Sequence, residues 1–170
     1  DEPTTVTVYR TDNPTLRRVY TFVVSLLPKL EDVGTYKRIQ VINTTASDEP
    51  EDNHPASNVS DNNTDAESRW SASGEGAWVE LDFGEVLPVD AVGVSVWQGS
   101  ARTYQFDIAV SEDGVNYETV LEGAQTANQE GVIEVFDLPA TVRARYIRYI
   151  GYGNSVNKWN SITEFAALQK

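Results

Sequence analysis

The 170-residue chain is long enough to bury a core as one domain, and 13 Lys and Arg against 26 Asp and Glu give it a formal net charge of −13. A surface of that sign repels nucleic-acid phosphates and anionic lipid headgroups, which argues against both as partners. With no Cys and a single His, the chain has no disulfide, no Cys nucleophile and no multi-His metal centre.

The charge is uneven along the chain. Residues 1–38 carry six Lys and Arg against five Asp and Glu, whereas residues 39–170 carry seven against twenty-one. Thr4 to Arg10 and Val19 to Leu27 read as two strands separated by Thr11-Asp-Asn-Pro14. The second is the longest apolar run, and Thr21 and Ser25 interrupt it, so it falls short of the roughly eighteen apolar residues of a helical membrane span. Residues 1–38 are expected to be an N-terminal extension. They are either the tail of a preceding domain or extra strands packed on the main one, which spans residues 39–170.

Dense punctuation follows, in Asn58-Val-Ser-Asp-Asn-Asn-Thr-Asp-Ala-Glu-Ser-Arg-Trp70. A loop crowded with carboxylates, amides and hydroxyls cannot fold around an apolar core. It can fold around a hard cation, because Ca²⁺ takes six to eight oxygen ligands. An alternating strand comes next, Trp78-Val-Glu-Leu-Asp-Phe-Gly84. Val92, Val94 and Val96 then share one strand face, and Tyr104, Phe106, Ile108 and Val110 share another. Around Tyr146, Arg148 and Ile150 both faces hold large residues. Turn signals fall at Leu87-Pro88, Asp113-Gly114, Gly123, Glu130-Gly131 and Leu138-Pro139. Short strands at this spacing, without an amphipathic helix, predict an all-β sandwich.

Five ordered motifs carry a family resemblance. They are Asn58…Asp61…Ser68-Arg-Trp70 with Trp78-x-x-x-Asp-Phe-Gly84, Arg102-x-Tyr-x-Phe-x-Ile108, Ser111-Glu-Asp-Gly-x-Asn-Tyr117, Ala144-Arg-Tyr-Ile-Arg148 and Ile162-Thr-Glu-Phe165. Over residues 39–169 the chain resembles the discoidin, or coagulation factor 5/8 type C, family, and within it the carbohydrate-binding module family 32 branch. The resemblance implies a jelly-roll β-sandwich of about eight strands. It also implies a structural Ca²⁺ held by Asp61, Asn63, Ser68 and Glu164, with the Asn58 carbonyl a further candidate. Asn62 stands where the family usually has Gly, and Ser68 where it usually has Thr; Asn tolerates the left-handed backbone best after Gly.

Sugar sites pair an aromatic platform with planar hydrogen-bonding groups. Two loops offer both: Trp97-Gln-Gly-Ser-Ala-Arg102, and Tyr152-Gly-Asn-Ser-Val-Asn-Lys-Trp-Asn160. Each aromatic could instead plug one end of the sandwich, and Arg102 could pair with an interior carboxylate. The wording Gln98-Gly-x-x-Arg102, Gly151-Tyr-Gly-Asn-Ser155 and Trp159-Asn-Ser-Ile-Thr-Glu164 is similar to modules attached to alginate lyases of marine bacteria. That resemblance implies that Arg102 and Lys158 meet a uronate carboxylate, that Gln98, Asn154 and Asn160 meet hydroxyls, and that Trp159 meets the ring; Trp97 and Tyr152 are further aromatic candidates by their place in the two loops. Galactose-binding members use a His in the first loop; the only His here, His54, lies in an acidic stretch, which disfavours galactose.

No enzyme is read from these residues. Ser111-Glu-Asp-Gly114 is a turn with no helix behind it, so it is not a nucleophile elbow. Asn-x-Ser/Thr at Asn43, Asn58 and Asn62 signals glycosylation only in a eukaryotic secretory setting. The expectation is a monomeric, secreted, bacterial carbohydrate-binding module, excised from a larger polysaccharide lyase or glycoside hydrolase that it tethers to its polysaccharide. The competing class is an adhesion or protein-binding discoidin domain of a surface protein.

Overall fold

A computed structural model describes residues 32–49, 54–127 and 129–170 in full, and the backbone of residues 3–10 and 13–23. Strands β1 (Pro3–Arg10) and β2 (Asn13–Val23) form a two-stranded antiparallel sheet in which Val6 faces Tyr20. The second strand begins earlier than Val19; the end of the expected run, Val24 to Leu27, lies outside the described residues.

The main sheet has eight strands: β3 (Lys37–Arg38), β4 (Asn43–Ala46), β5 (Trp70–Ser73), β6 (Ala77–Val96), β7 (Tyr104–Ser111), β8 (Glu118–Gln125), β9 (Glu134–Asn154) and β10 (Trp159–Gln169). Its order is β3-β10-β6-β9-β7-β8, with β4 added on β6 and β5 on β10, and every pairing is antiparallel. This is the expected all-β, discoidin-like sandwich.

Three expected turns are instead strand interior. Leu87-Pro88 lies within β6 and Leu138-Pro139 within β9. The two strands pair in segments, with register breaks between Asp82 and Leu87 and between Val89 and Ala91 of β6. Asp137 faces Ala91 and Val142 faces Val89, so Leu138 to Thr141 bulge opposite Asp90 alone. Pro139 sits in that bulge, where its missing N–H is not needed by the ladder. Pro88 lies in the short paired segment between the two breaks. Gly123 lies within β8 at φ 64, and its N–H bonds the Asp107 carboxylate at 2.7 Å. Proline and glycine here bend strands into a sandwich rather than end them.

The alternation read from sequence is what fills the core. Val92, Val94, Val96, Tyr104, Phe106, Ile108, Val110, Ile147, Tyr149 and Phe165 are all buried in one cluster with Trp70, Leu81 and Phe83. Phe106 stacks on Tyr149 at 4.7 Å between centroids and takes the edge of Phe136 at 5.1 Å. Such pairs add about 0.5–1.5 kcal/mol each beyond their buried area. A second cluster, Ala91, Ala166 and Leu168, is covered by Val33 and Tyr36. Residues just ahead of β3 therefore pack on the sandwich.

Candidate functional site

Strand β10 organises one rim. Its first residues pair with β5, placing Trp159 opposite Ser73 and Ser161 opposite Ser71, and further along it pairs with β6. The β6–β7 loop docks onto the same place, because the Trp97 N–H donates to the Ser161 carbonyl at 3.0 Å and the Tyr104 hydroxyl to the Trp97 carbonyl at 2.9 Å. The β9–β10 loop is tied on through Ser155 N–H to the Thr103 carbonyl, 2.9 Å. Three chain segments thus meet around a pocket of about 260 Å³ lined by Arg69, Ser71, Trp97, Arg102, Asn157, Trp159 and Ser161.

Within it the Arg102 guanidinium lies 4.6 Å from the Trp97 ring centroid and that of Arg69 lies 5.1 Å away. Both are within cation–π range, and both keep planar donor edges for a ligand's oxygens. Trp97, Trp159, Arg69 and Arg102 are half-buried: held by packing, yet open on one side. Arg69 is anchored by Nη1 to the Ala66 carbonyl (2.6 Å) and Nε to Ser71 Oγ (3.3 Å).

The structure brings together Trp97, Arg102 and Trp159 from the sequence-predicted set, and sets the others apart from the pocket lining. Asn160 is fully buried. Its Oδ1 accepts from Gly153 N–H at 2.8 Å, and its Nδ2 donates to the Gly74 carbonyl at 2.9 Å. Asn154 shapes the loop, with Oδ1 accepting from the Val156 and Asn157 N–H groups and Nδ2 donating to the Trp159 carbonyl at 2.7 Å. Gly153 completes that loop at φ 87, where a Cβ would stand 2.8 Å from the Asn157 carbonyl oxygen. Lys158 is exposed and pairs with Glu75 at 3.2 Å. Tyr152 donates to Asp107 at 2.6 Å, and that carboxylate pushes its hydroxyl up to about 12. Gln98 holds a left-handed turn at φ 52, and His54 is buried. Sequence reading missed Arg69, Ser71, Asn157 and Ser161. Arg69 stands inside a quoted motif, Ser68-Arg-Trp70, but only the β5–β10 pairing turns it toward Trp97.

The oxygen-rich loop closes against the middle of β10. Asp61 Oδ1 and Glu164 Oε2 accept from the same backbone group, Asn63 N–H, at 2.9 and 3.2 Å. Ser68 Oγ donates to Asp61 Oδ2, and Asn63 Oδ1 accepts from Asp65 N–H at 2.9 Å. The Asn58 side-chain amide bonds the Arg69 carbonyl at 3.2 Å. Glu164 is fully buried and paired with Arg38. Burial pushes its carboxyl up to about 7, Arg38 pulls it down, and the charge of Asp61 raises it further. Two carboxylates converging on one amide, with a hydroxyl and an amide oxygen beside them, form an all-oxygen donor set that chemically suits a hard divalent cation. Among the described residues no third acidic, His or Cys side chain joins them, so further ligands would be backbone carbonyls or water.

A second polar–aromatic group belongs to the scaffold. Arg148 is sandwiched between Trp78 and Tyr117, 4.0 and 3.9 Å from their centroids, and pairs with Glu80 at 2.7 Å. Trp78 is thus on a sheet-face ladder, while Trp70 is fully buried with its Nε1 on the Asp48 carbonyl at 2.9 Å.

Residues 43–165 match the F5/8 type C domain family model. A solved truncated AlyQ with CBM32 and alginate lyase domains aligns at 31% identity and TM-score 0.72, over 79% of this chain and 34% of that one. The chain therefore spans about a third of that molecule. The CBM32 of AlyQ in complex with 4,5-unsaturated mannuronic acid aligns at 32% identity and TM-score 0.71, over 78% of this chain and 98% of that one. A pectin-binding carbohydrate-binding module aligns at 29% identity and TM-score 0.70, over 76% and 91%. No curated protein matches the chain. By its matched residues and its fold, the chain belongs to the F5/8 type C domain family, in the carbohydrate-binding module family 32 branch.

Proposed function

We propose that the chain is a non-catalytic module that grips a uronate-containing polysaccharide in the Trp97–Arg102–Trp159 pocket and so holds a secreted polysaccharide-degrading enzyme, an alginate lyase above all, on its substrate. The observation that carries this is the pair of guanidinium groups lying on Trp97 beside Trp159, in a chain whose net charge is −13. A carboxylated sugar offers the bidentate acceptor that guanidinium matches, and its apolar C–H face suits the tryptophan. The AlyQ module bound to an unsaturated mannuronic acid and the pectin-binding module support the same ligand class. Tethering acts by raising the effective substrate concentration at a neighbouring catalytic domain.

Titration calorimetry with mannuronate, guluronate, galacturonate and galactose oligomers tests the reading. Arg102→Ala should weaken uronate binding strongly and galactoside binding little. Equal loss for both sugars, or tight galactose binding with none to uronates, overturns it.

A structural Ca²⁺ among Asp61, Asn63, Ser68, Glu164 and the Asn58 carbonyl is part of the same proposal. A ligand that binds only the folded state stabilises it by mass action. Chelation should lower the melting temperature by several degrees, and Asp61→Ala should remove that response. Unchanged melting in excess chelator rejects the cation. The second reading, a protein-adhesion domain, is favoured by one rim residue, Val156, which is 64% exposed. Val156→Ser should leave oligosaccharide binding intact if the sugar reading holds.

A further inference from the structure

Arg69 is where the oxygen-rich loop and the pocket meet. Its guanidinium lines the pocket over Trp97 and donates to the Ala66 carbonyl of the loop and to Ser71 Oγ of β5, while its backbone carbonyl accepts from the Asn58 side-chain amide. The preceding residue, Ser68, donates its hydroxyl to Asp61 and its N–H to the Asp65 carbonyl at 2.9 Å. Asp65 N–H is in turn held by Asn63 Oδ1, and Asn63 N–H by both Asp61 and Glu164. An unbroken series of short contacts therefore runs from the buried Glu164 carboxylate to the Arg69 guanidinium.

The partners of this series differ in rigidity. Glu164 belongs to β10, which also carries Ser161 and Trp159, and its backbone is paired with Ser95 of β6, while β10 is held on its other edge by β5 up to Ile162. Asp61 and Ser68 belong to the loop. Two carboxylates sharing one N–H repel, and among the described residues Arg38 pairs with Glu164 and not with Asp61, so the charge on the loop side is the less compensated of the two. A divalent cation held between Asp61 and Glu164 would relieve that repulsion and hold the loop against β10, and with it Ser68 and Arg69.

We infer that the segment Asp61–Arg69 couples divalent-cation binding at Asp61 and Glu164 to ligand binding in the pocket. Asp61 and Ser68 serve as positioning residues, and Arg69 as the group through which they act. This rests on the pocket and cation readings above. By linkage, calcium must strengthen ligand binding by the same factor as the ligand strengthens calcium binding.

The test uses the full chain with a mannuronate trisaccharide, too short to gel, as probe. Uronate affinity is measured by calorimetry for wild type, Asp61→Asn, Arg69→Ala and the double variant, each with calcium and with chelator. Wild type should bind about 5- to 150-fold more tightly with calcium, the usual span of such couplings. Asp61→Asn should bind at the wild-type chelator level in both buffers. Arg69→Ala should bind weakly and equally in both, with no added effect in the double variant. An equal calcium response in Arg69→Ala and wild type overturns the inference, as does none in wild type, while uronate binding itself leaves the proposed function standing. If no uronate binds at all, the functional reading fails, and the coupling is read from intrinsic tryptophan fluorescence during calcium titration, with Trp97→Phe identifying the contribution of Trp97. A change present in wild type and lost in Arg69→Ala supports the link; no change in wild type overturns it.

Discussion

Trp97 and Asn160 show how residue-scale chemistry divides between binding and building. Trp97 offers a half-buried ring with two guanidinium groups against it, and Trp159 stands across the same pocket. Asn160 is an immediate neighbour of Trp159 in sequence, yet is buried, with its amide consumed by Gly153, Ala72 and Gly74. Opposite outcomes follow for two adjacent alanine substitutions. Trp159→Ala should cost about 1–3 kcal/mol of ligand affinity and leave the melting temperature nearly unchanged. Asn160→Ala should cost about 1–3 kcal/mol of fold stability, because it strands buried backbone groups. Urea unfolding and calorimetry on the same two variants separate the effects; a shared outcome refutes the division. The amides and aromatics of the rim loop were visible as residue types in the sequence. Which of them face outward was not, since one step along β10 turns a side chain from pocket to core.

At the scale of elements, sequence periodicity gave the strands but not their joints. Alternating valines and aromatics marked β6 and β7 correctly, because one sandwich face must be apolar whatever the topology. Proline and glycine pointed to turns at Leu87-Pro88, Gly123 and Leu138-Pro139, and these became bends inside long strands. A proline forbids one hydrogen bond; whether the chain then turns or merely bulges depends on a partner strand distant in sequence. The N-terminal boundary was similarly half visible. Val33 and Tyr36 lie in the segment read as an extension, yet they cover Ala91, Ala166 and Leu168. Deleting residues 1–36 should expose that apolar face and promote association, seen as increased light scattering and a lowered melting temperature. A truncated chain that stays monomeric with unchanged melting would show that the cover contributes nothing.

For the molecule as a whole, acidity shapes pH response as well as solubility. Asp82 is held below the usual carboxylate range mainly by its hydrogen bond from Arg145, Asp113 by backbone N–H groups of Asn116 and Val115, and Asp137 by Tyr36. A carboxylate lowered in the folded state contributes stability above its unfolded pKa of about 3.9 and loses it as pH falls through the folded value. Stability should therefore be flat on this account from neutral pH down to about 4 and fall below it. Replacing Asp113 with Asn should flatten part of the acid limb in a pH series of urea melts. An identical limb in that variant would mean that the loop's hydrogen bonds form equally in the unfolded chain.

Strand β10 joins β3, β5 and β6, and it carries both Trp159 and Glu164. Its partners begin at Lys37, so the sheet's central pairings span most of the chain. Such non-local pairing places folding in the slow range, about milliseconds to seconds. On the ribosome the consequence is sharper. Until Gln169 has left the exit tunnel, β3 and β5 lack a neighbour, and β6 shows an open hydrogen-bonding edge to other nascent chains. The sandwich closes, and its pocket is assembled, in one late event governed by the last residues of the domain to be made.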